Sequence, residues 1–294
     1  MMEQIKALVA PNKMSVLHIT NIPKINIFKA FDCGQCFRFD SVPMTEHKYA
    51  FGGVAHGKYV IFAQDNENEL YIYGATPDEY EHLWREYLAL DLDYEEIDNT
   101  IINTCNSEHM RVATEYGSGI RILRQDPWEC LISFIISQNN NIPRIKKIVC
   151  AICKKYGSEI VTPFGTEYAF PTPEQMKNAG VEELFELRMG FRAKYIYDAV
   201  QAVLAHPEML DEIKALNYED ALMHLCKIKG VGAKVASCVL LFGYAKTEAF
   251  PIDVHIKRTL EKHFPSDFNP FTLGKNAGIA QQYLFYYEKY NQNS

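Results

Sequence analysis

The chain changes character near residue 76, and this change constrains the fold more than any other feature. Before it, apolar segments rich in β-branched and aromatic residues alternate with Gly and Asn turns, as in SVLHITNI, FGGVAHGKYVIFAQ and ELYIYG. Thr76-Pro77-Asp78-Glu79 then supplies a helix N-cap, a proline at the first helical position and an acidic residue at the third. We therefore expect an antiparallel-sheet domain over residues 1–110 and an all-helical domain over residues 111–294.

Helical periodicity dominates the second part of the chain. It recurs in DPWECLISFIISQ, PRIKKIVCAICKKYG, YIYDAVQAVLAH, AKVASCVLLFG, VHIKRTLEKHF and AGIAQQYLFYYEKY. Thr172-Pro173-Glu174-Gln175 repeats the start signal found at Thr76, and it predicts a helix over TPEQMKNAG. A chain of 294 residues can form two domains, each with its own core.

The segment ALMHLCKIKGVGAKVASCVLLFG, residues 221–243, has the form helix, Gly-x-Gly turn, helix. Glycines allow a tight turn and a close approach of the backbone to another surface. The amides at the start of the second helix, together with its dipole, form a natural phosphate-binding site. The alternative is a turn with no function.

Two residues near this hairpin are candidates for chemistry. Lys234 lies on the first turn of the second helix, where the positive end of the dipole favours the neutral amine that a nucleophile requires. Asp253, in FPIDVHIKRTL, is placed to cap the next helix, and a carboxylate near an amine can also accept its proton. The alternatives are an exposed lysine with no role and a simple helix cap. His255, on the same helix start, can contact phosphate.

The Gly-Val-Gly-x-Lys turn and the Pro-x-Asp segment together resemble the signature of helix-hairpin-helix DNA glycosylases that have lyase activity. RQDPWECLISFIISQNNNIPRI, GFRAKY, GVGAKVASC, AFPIDVH and AQQYLF resemble, in this order, segments of the eukaryotic-type 8-oxoguanine DNA glycosylase family. GQCFRF resembles a segment of that family's TATA-binding-protein-like domain. The resemblance covers most of the chain, and it implies an α+β fold with a TATA-binding-protein-like antiparallel-sheet domain followed by an all-α helix-hairpin-helix domain.

The resemblance also implies an activity, in which the enzyme flips 8-oxoguanine out of duplex DNA. Lys234 would attack the sugar C1′, expel the base and form a Schiff base, with Asp253 assisting, and no metal or organic cofactor is expected. The 8-oxo base carries a proton on N7 and guanine does not, so one backbone carbonyl, matched by Gly34, can distinguish them. Cys238 and Phe285 match the residues that sandwich the base, and Gln281 matches the residue that reads its Watson–Crick edge.

Further residues match the family's contacts to DNA. Asn139, Arg144 and Arg192 match the residues that read the orphaned cytosine. The other expected DNA contacts are Asn141, Gly230, Gly232, Val235 and His255. Phe191 stands where a tyrosine is common as the wedge, and Phe242 stands where a methionine lines the base pocket. Ser237 stands where an acidic residue is common. Phe191 keeps the apolar wedge without the hydroxyl, and we expect the bulky ring of Phe242 to alter the pocket's shape and base selectivity.

The charge of the chain is unevenly distributed. The formal net charge is -7, but basic residues cluster in RIKKI, RMGFRAK, KIKGVGAK and HIKRTLEK. DNA binding depends on a local basic patch, so the net charge does not exclude double-stranded DNA containing oxidised guanine as the partner. The sequence shows no apolar leader and no membrane-spanning run, and we expect a monomer in the cytoplasm, associated with the nucleoid if the source is bacterial.

Cysteine spacing leaves one alternative open. Cys33 and Cys36, and also Cys150 and Cys153, have the C-x-x-C spacing of zinc or redox sites, although reduced thiols are the default without secretion.

The rival glycosylases of the endonuclease III group carry a cluster of cysteines near the end of the helical domain, whereas the last cysteine here is Cys238. Alkyl-adenine glycosylases lack the lysine. A non-catalytic helix-hairpin-helix module would need neither Lys234 nor Asp253.

Overall fold

Six antiparallel strands form the sheet of the N-terminal domain, in the order β1-β2-β6-β5-β4-β3. The structure is a computed structural model, and it describes residues 3–9 and 14–291. The strands are β1 Gln4–Val9, β2 Ser15–Thr20, β3 Phe39–Ser41, β4 Tyr49–Ala55, β5 Lys58–Gln64 and β6 Glu69–Tyr73. The strands predicted from the sequence are confirmed as β2, β4, β5 and β6, whereas β1 and the three-residue β3 were not predicted.

A two-residue turn sets the register of the central hairpin. Ala55 pairs with Lys58, and the intervening His56 and Gly57 have φ values of 49° and 71°. Two consecutive positive φ angles give a turn whose twist matches that of the flanking strands. The register that this turn sets places Phe51 opposite Phe62 in the sheet.

One face of the sheet is covered by short helices. These are α1 Ile27–Asp32, α2 Pro77–Glu79 and α3 Arg85–Tyr87, with a wider π turn over Tyr80–Trp84 between the last two. The predicted helix start at Thr76 is confirmed: its side chain accepts from the amide of Glu79 at 3.2 Å, and the Glu79 carboxylate accepts from the amide of Thr76 at 2.9 Å. Aromatic rings of α1, the sheet and α3 fill the space between the layers.

A larger core lies among the helices of the second part of the chain. Those helices are α4 Tyr94–Cys105, α5 Glu108–Gly117, α6 Pro127–Ser137, α7 Ile142–Tyr156, α8 Val181–Leu184, α9 Arg192–Ala205, α10 Met209–Ala215, α11 Tyr218–Leu225, α12 Ala233–Tyr244, α13 Val254–His263 and α14 Ala277–Asn291, with a π turn over Phe185–Met189 and a 3₁₀ segment over Pro270–Asn276. The predicted order of an antiparallel-sheet domain followed by a helical domain is confirmed.

Two local predictions differ from the structure. The helical part contains a small hairpin, β7 Glu159–Thr162 and β8 Gly165–Tyr168, because Gly165, with φ 130°, closes a turn that the helical pattern does not reveal. Thr172 and Gln175 form the reciprocal capping hydrogen bonds, at 2.8 and 3.2 Å, but only turns follow them. The helix predicted over TPEQMKNAG is therefore wrong, since Gly180 follows within two turns and starts α8 instead.

The junction between the two layers is tight. Helix α4 packs on α14 through the hydroxyl of Tyr283, which donates to Asp98 at 2.6 Å. Buried Arg121 donates to the carbonyls of Lys24, Ala89 and Leu92. The domain boundary near residue 110 stays a prediction; α4, which precedes it, and α5, which crosses it, both contribute to the helical core. Within the described residues, no helix is both long and apolar enough to span a bilayer.

Candidate active site

A small pocket, called here the central pocket, lies between α6, α12, α14 and the loop that follows α1. Its volume is about 60 Å³. It is lined by Cys33, Gly34, Phe134, Lys234, Cys238, Phe242, Pro251, Asp253, Gln281, Gln282 and Phe285. The structure therefore brings together all the residues that the sequence analysis predicted for catalysis and for base binding.

Helix α12 provides one side of the central pocket. Lys234, Cys238 and Phe242 are spaced four residues apart, and so they lie on one face of the helix. The Lys234 ammonium lies 5.6 Å from the centre of the Phe134 ring, and Phe134 stacks on Phe242 at 5.4 Å. Burial raises the pKa of the Cys238 thiol, against the opposing effect of Lys234. The thiol is therefore a neutral packing surface beside the amine.

Phe134 was not predicted as a site residue. It lies in the apolar run of α6, where every position from Cys130 to Ile136 is buried. Because all these residues are apolar or buried alike, the sequence does not show that Phe134 lines the pocket. No local pattern distinguishes it. Its two ring contacts, to Lys234 and to Phe242, make it the wall against which the lysine side chain rests.

Asp253 lies at the entrance of the central pocket. Its carboxylate caps α13 by accepting from the amide of Ile256 at 2.8 Å. Asp253 is therefore a helix cap, as one alternative predicted, and it uses one carboxylate oxygen for this purpose. The cap also holds the carboxylate in the pocket that contains Lys234. Its neighbours Ile252 and Val254 are exposed by 42% and 62%. Two apolar side chains thus face solvent on either side of the acid, as expected for a surface that meets another molecule.

Gly34 presents its backbone to the pocket. Its φ of 81° favours glycine, and a Cβ there would meet Phe285 and Ile142 only at ordinary contact distances of 3.6 and 3.5 Å. The flanking carbonyls are both in use: that of Cys33 accepts from Gln282 Nε2 at 2.9 Å, and that of Gln35 accepts from Gln125 Nε2 at 2.7 Å. Among the described residues no hydrogen bond to the Gly34 carbonyl is formed, so this acceptor is available to a ligand.

A buried glutamine fixes this loop. Gln35 Nε2 donates to the carbonyls of Ala30 and Arg121, each at 2.9 Å, and its Oε1 accepts from the amide of Leu123 at 2.9 Å. The side chain of Gln35 is fully buried, so these bonds are shielded from water. The sequence analysis missed Gln35 and Gln282 because their partners are distant in sequence.

Helix α14 closes the pocket. Gln281 and Phe285 are one turn apart and face the same side; Gln281 is buried, whereas Phe285 is partly exposed. Gln282, which follows Gln281, bonds to the loop at Cys33. The helix therefore combines two pocket residues with one anchor to the N-terminal domain.

The hairpin between α11 and α12 is shaped by its two glycines in different ways. Gly230 has a φ of 84°, and a Cβ there would lie 2.2 Å from Cγ of Tyr195, so only glycine fits against that ring. Gly232 caps α12 without a side chain, and a Cβ there would meet nothing within 4 Å. The open space lies beside the unpaired amides of the first turn of α12, so an anion can approach them closely. The Val235 side chain is buried, which leaves its amide as the group that can contact DNA.

A second cluster of predicted residues surrounds the loop between α6 and α7. Asn139 has a φ of 48°, and Asn141 caps α7 by accepting from the amide of Arg144 at 3.0 Å. Phe191 is 54% exposed. The Arg192 guanidinium lies 4.4 Å from the Phe191 ring and donates to the carbonyls of Gln138, Asn139 and Met189.

The two arginines of this cluster differ in accessibility. Arg192 is 2% exposed, and its donors are occupied by backbone carbonyls. Arg144 is exposed, and its guanidinium makes one hydrogen bond, at 3.1 Å, to the carbonyl of Arg188. His255 is also exposed, near the start of α13. Arg144 and His255 are thus free to meet DNA directly, whereas Arg192 holds the Asn139 loop.

The C-x-x-C pairs do not have the properties of metal sites. Cys33 and Cys153 are buried, and burial raises the pKa of each thiol to about 12. Cys150 is exposed while Cys153 points into the core, so this pair does not converge on one ion. Within the described part of the chain, the group of three potential metal ligands that lie close together contains no cysteine. The zinc alternative at these pairs is not supported.

Comparison with known proteins gives a consistent result. Residues 18–131 match the family described as "8-oxoguanine DNA glycosylase, N-terminal domain", and residues 132–270 match the "HhH-GPD superfamily base excision DNA repair protein" family. The N-glycosylase/DNA lyase of Saccharomyces cerevisiae is 35% identical over 270 residues, which are 85% of this chain and 71% of the yeast protein.

Solved structures match over nearly the whole chain. The Clostridium acetobutylicum 8-oxoguanine glycosylase/lyase, in complex with double-stranded DNA containing cytosine opposite 8-oxoG, has a TM-score of 0.87 and 34% identity, with 98% of each chain covered. The 3-methyladenine DNA glycosylase of Archaeoglobus fulgidus shares the fold, with a TM-score of 0.70 and 21% identity over 93% of this chain and 98% of that one.

Proposed function

Because the chain belongs to the 8-oxoguanine DNA glycosylase family, we propose that it is a bifunctional DNA glycosylase and AP lyase in base excision repair. It excises 8-oxoguanine from duplex DNA and prefers cytosine as the opposite base. The observation that carries this proposal is the central pocket, where an amine, a carboxylate and an available backbone carbonyl converge.

The proposed chemistry uses Lys234 as the nucleophile. Its amine attacks C1′ of the flipped nucleotide, the C1′–N9 bond breaks, and the base leaves with the bonding electrons. The Asp253 carboxylate stabilises the positive charge that develops on the sugar, and it assists the proton transfers from the amine to the departing base. The C1′–O4′ bond of the adduct then breaks, which opens the sugar ring and gives a Schiff base. In the β-elimination that follows, C2′ loses a proton and the 3′ phosphate leaves, so the strand is cleaved. These steps need only side chains that line the central pocket.

Lesion recognition rests on the Gly34 carbonyl. It accepts a hydrogen bond from N7–H of 8-oxoguanine and repels the N7 lone pair of guanine. Cys238 and Phe285 hold the base between them, and Gln281 reads its Watson–Crick edge. A cavity of about 150 Å³ is needed to bind benzene, so the present volume of about 60 Å³ does not admit a purine. We infer that Phe285, which is partly exposed, moves to admit the base.

The opposite strand is contacted from the Asn139 loop. Arg144 presents its guanidinium to the orphaned cytosine, while Arg192 fixes the carbonyl of Asn139 and supports the Phe191 wedge. Phosphates bind the first-turn amides of α12 beside Gly232. The protein acts as a monomer on DNA in the cytoplasm, on the nucleoid if it is bacterial; light scattering on the purified protein tests the monomer.

Trapping with borohydride tests the nucleophile. The protein is incubated with a duplex containing 8-oxoguanine opposite cytosine, borohydride is added, and the covalent adduct is measured. Lys234→Gln should abolish the adduct, whereas Lys229→Gln, at an exposed lysine of the same hairpin, should preserve it. An adduct that persists in Lys234→Gln would refute the assigned nucleophile. An absence of base release by the wild-type protein would refute the activity.

A further inference from the structure

Three potential metal ligands from three helices meet near the C-terminal end of α14. They are His109 on α5, His263 at the end of α13 and Glu288 on α14, and one donor atom of each lies within 4.8 Å of the others. All three are partly buried. None of them lines the central pocket, and the chemistry proposed above does not use them.

The two imidazoles are arranged in an unusual way. Their rings stack at a centroid distance of 3.8 Å and an angle of 7°, and His109 Nε2 lies 3.0 Å from Glu288 Oε1. Two imidazolium cations cannot share such a stack without strong repulsion. A neutral imidazole has a nitrogen lone pair that can bind a metal ion.

The surroundings hold this arrangement in place. The rings of Tyr287 and Phe264 meet His109 edge-on, at 5.4 and 6.0 Å. Each ligand also belongs to a different helix, and so an ion bound here would be chelated by three elements that are already packed together. The helices therefore need no rearrangement, and only the imidazole side chains must rotate to bind the ion.

We propose that His109, His263 and Glu288 bind one zinc-class divalent ion that ties α5, α13 and α14 together. Two imidazoles and one carboxylate are a donor set that suits Zn²⁺, with a water molecule as the fourth ligand. Zn²⁺ bonds to nitrogen and oxygen are about 2.0–2.2 Å long, so donors around one ion lie about 3.3 Å apart. The donors are now within 4.8 Å of one another, but the two rings are parallel, so at least one imidazole must rotate out of the stack for both to bind the same ion.

The position of the site gives it a structural role. Helix α13 begins at Asp253 and ends at His263, and α14 carries Gln281 and Phe285 before Glu288. An ion at this site would hold the C-terminal end of α13, the helix that Asp253 caps, against α14, which carries Gln281 and Phe285. It would stabilise the folded enzyme and take no part in the bond-breaking steps.

Cobalt spectroscopy and zinc titration test the proposal on the full chain after treatment with a chelator. Exposed Cys150 and Cys226 can also attract zinc, so Co²⁺ is the first probe. We expect one Co²⁺ per chain, visible d–d bands and no thiolate-to-cobalt charge-transfer band. Zn²⁺ should displace it and should raise the melting temperature by about 5 °C at a free concentration 100 times its Kd.

Matched variants separate this site from other histidines. His263→Ala should weaken Zn²⁺ binding by about tenfold or more. His206→Ala should not, although His206 also has a glutamate partner, Glu212 at 2.9 Å. If His263→Ala does not fold, Glu288→Gln preserves the shape and removes the anionic ligand. The absence of saturable binding, a thiolate band, or equal affinity in His263→Ala or Glu288→Gln and the wild type would each overturn the site.

Discussion

Two glycines of one hairpin, Gly230 and Gly232, are expected to respond in opposite ways to the same change to alanine. Gly230 has a positive φ of 84° and no room for a Cβ, whereas Gly232 has a φ of -91° and open space around it. Gly230→Ala should therefore damage folding and Gly232→Ala should damage DNA binding. The pair separates the structural use of the turn from its proposed use as a phosphate site.

The magnitudes follow from the geometry. Alanine in the left-handed region costs about 1–2 kcal/mol. A Cβ placed 2.2 Å from Cγ of Tyr195 adds an overpacking cost of about 1–3 kcal/mol. Gly230→Ala should thus lose about 2–5 kcal/mol of unfolding free energy, or roughly 5–15 °C in melting temperature. In Gly232→Ala, the smaller entropy of the unfolded chain offsets a poorer helix cap, so the change should stay within about 1 kcal/mol.

The assay combines urea unfolding with fluorescence anisotropy at fixed salt, using a duplex that carries an uncleavable abasic analogue. Gly232→Ala should weaken binding by about tenfold or more, because its methyl group obstructs a hydrogen bond between a backbone amide and a charged phosphate. Gly230→Ala, measured below its unfolding transition, provides the comparison. Equal stability of the two variants would refute the steric argument, and wild-type affinity of Gly232→Ala would refute the phosphate site.

Three further changes test the pocket, the wedge and a buried acid. Glu129→Gln should weaken the pH dependence of stability. Burial raises the pKa of Glu129 to about 7, so this carboxyl should contribute about 2.5 kcal/mol of stability that is lost between pH 5 and pH 8, and urea unfolding at both pH values should find a loss that is smaller by this amount in the variant. Phe191→Ala should reduce single-turnover excision about tenfold or more and leave the melting temperature within about 2 °C, since the ring is 54% exposed; an unchanged rate would contradict the wedge. Phe242→Met should reduce the free energy of unfolding by about 1 kcal/mol, because the stack on Phe134 is lost. In a competition assay, the variant should excise ring-opened purines faster relative to 8-oxoguanine. An unchanged ratio of the two rates would exclude Phe242 as a selectivity residue.

The sign of the Glu129 effect follows from burial. Its folded pKa lies above the unfolded value, so the native state binds more protons between about pH 4.5 and pH 7. Stability is therefore present at acidic pH and decreases as the pH rises through 7. Arg38, whose Nη1 lies 3.9 Å from the carboxylate, reduces the shift but does not cancel it.

Local sequence patterns predicted the parts of the fold whose causes are local. The capping residues at Thr76 and Asp253 and the apolar periodicity of α12 each act within a few residues, and each is confirmed. The spacing of Lys234, Cys238 and Phe242 also places them on one helix face without reference to the rest of the chain. Resemblance was needed to associate Gly34 and Gln281 with that face, since they come from opposite ends of the chain.

The residues that were missed have distant partners. Gln282 and the carbonyl of Cys33 are 249 residues apart, and Gln35 bonds to Arg121 and Leu123 across 86 and 88 residues. Glutamines on a helix or in a loop are usually solvated, and nothing local marks them as buried. The motif likewise identifies the Arg192 guanidinium but not the carbonyls that it binds, and the contact of Arg192 with the orphaned cytosine stays a prediction.

One glutamine connects the two proposed DNA contacts. Gln138 Nε2 donates to the carbonyl of Gly230 in the hairpin at 3.0 Å, and the Gln138 carbonyl accepts from Arg192 Nε at 2.8 Å. Arg192 in turn lies under the Phe191 ring and holds Asn139. The proposed phosphate site and the proposed wedge are therefore connected through a short chain of hydrogen bonds. Because the hairpin leads directly into Lys234, we propose that the Phe191 ring and the Lys234 amine keep a constant separation, which would position the nucleotide before the chemistry begins.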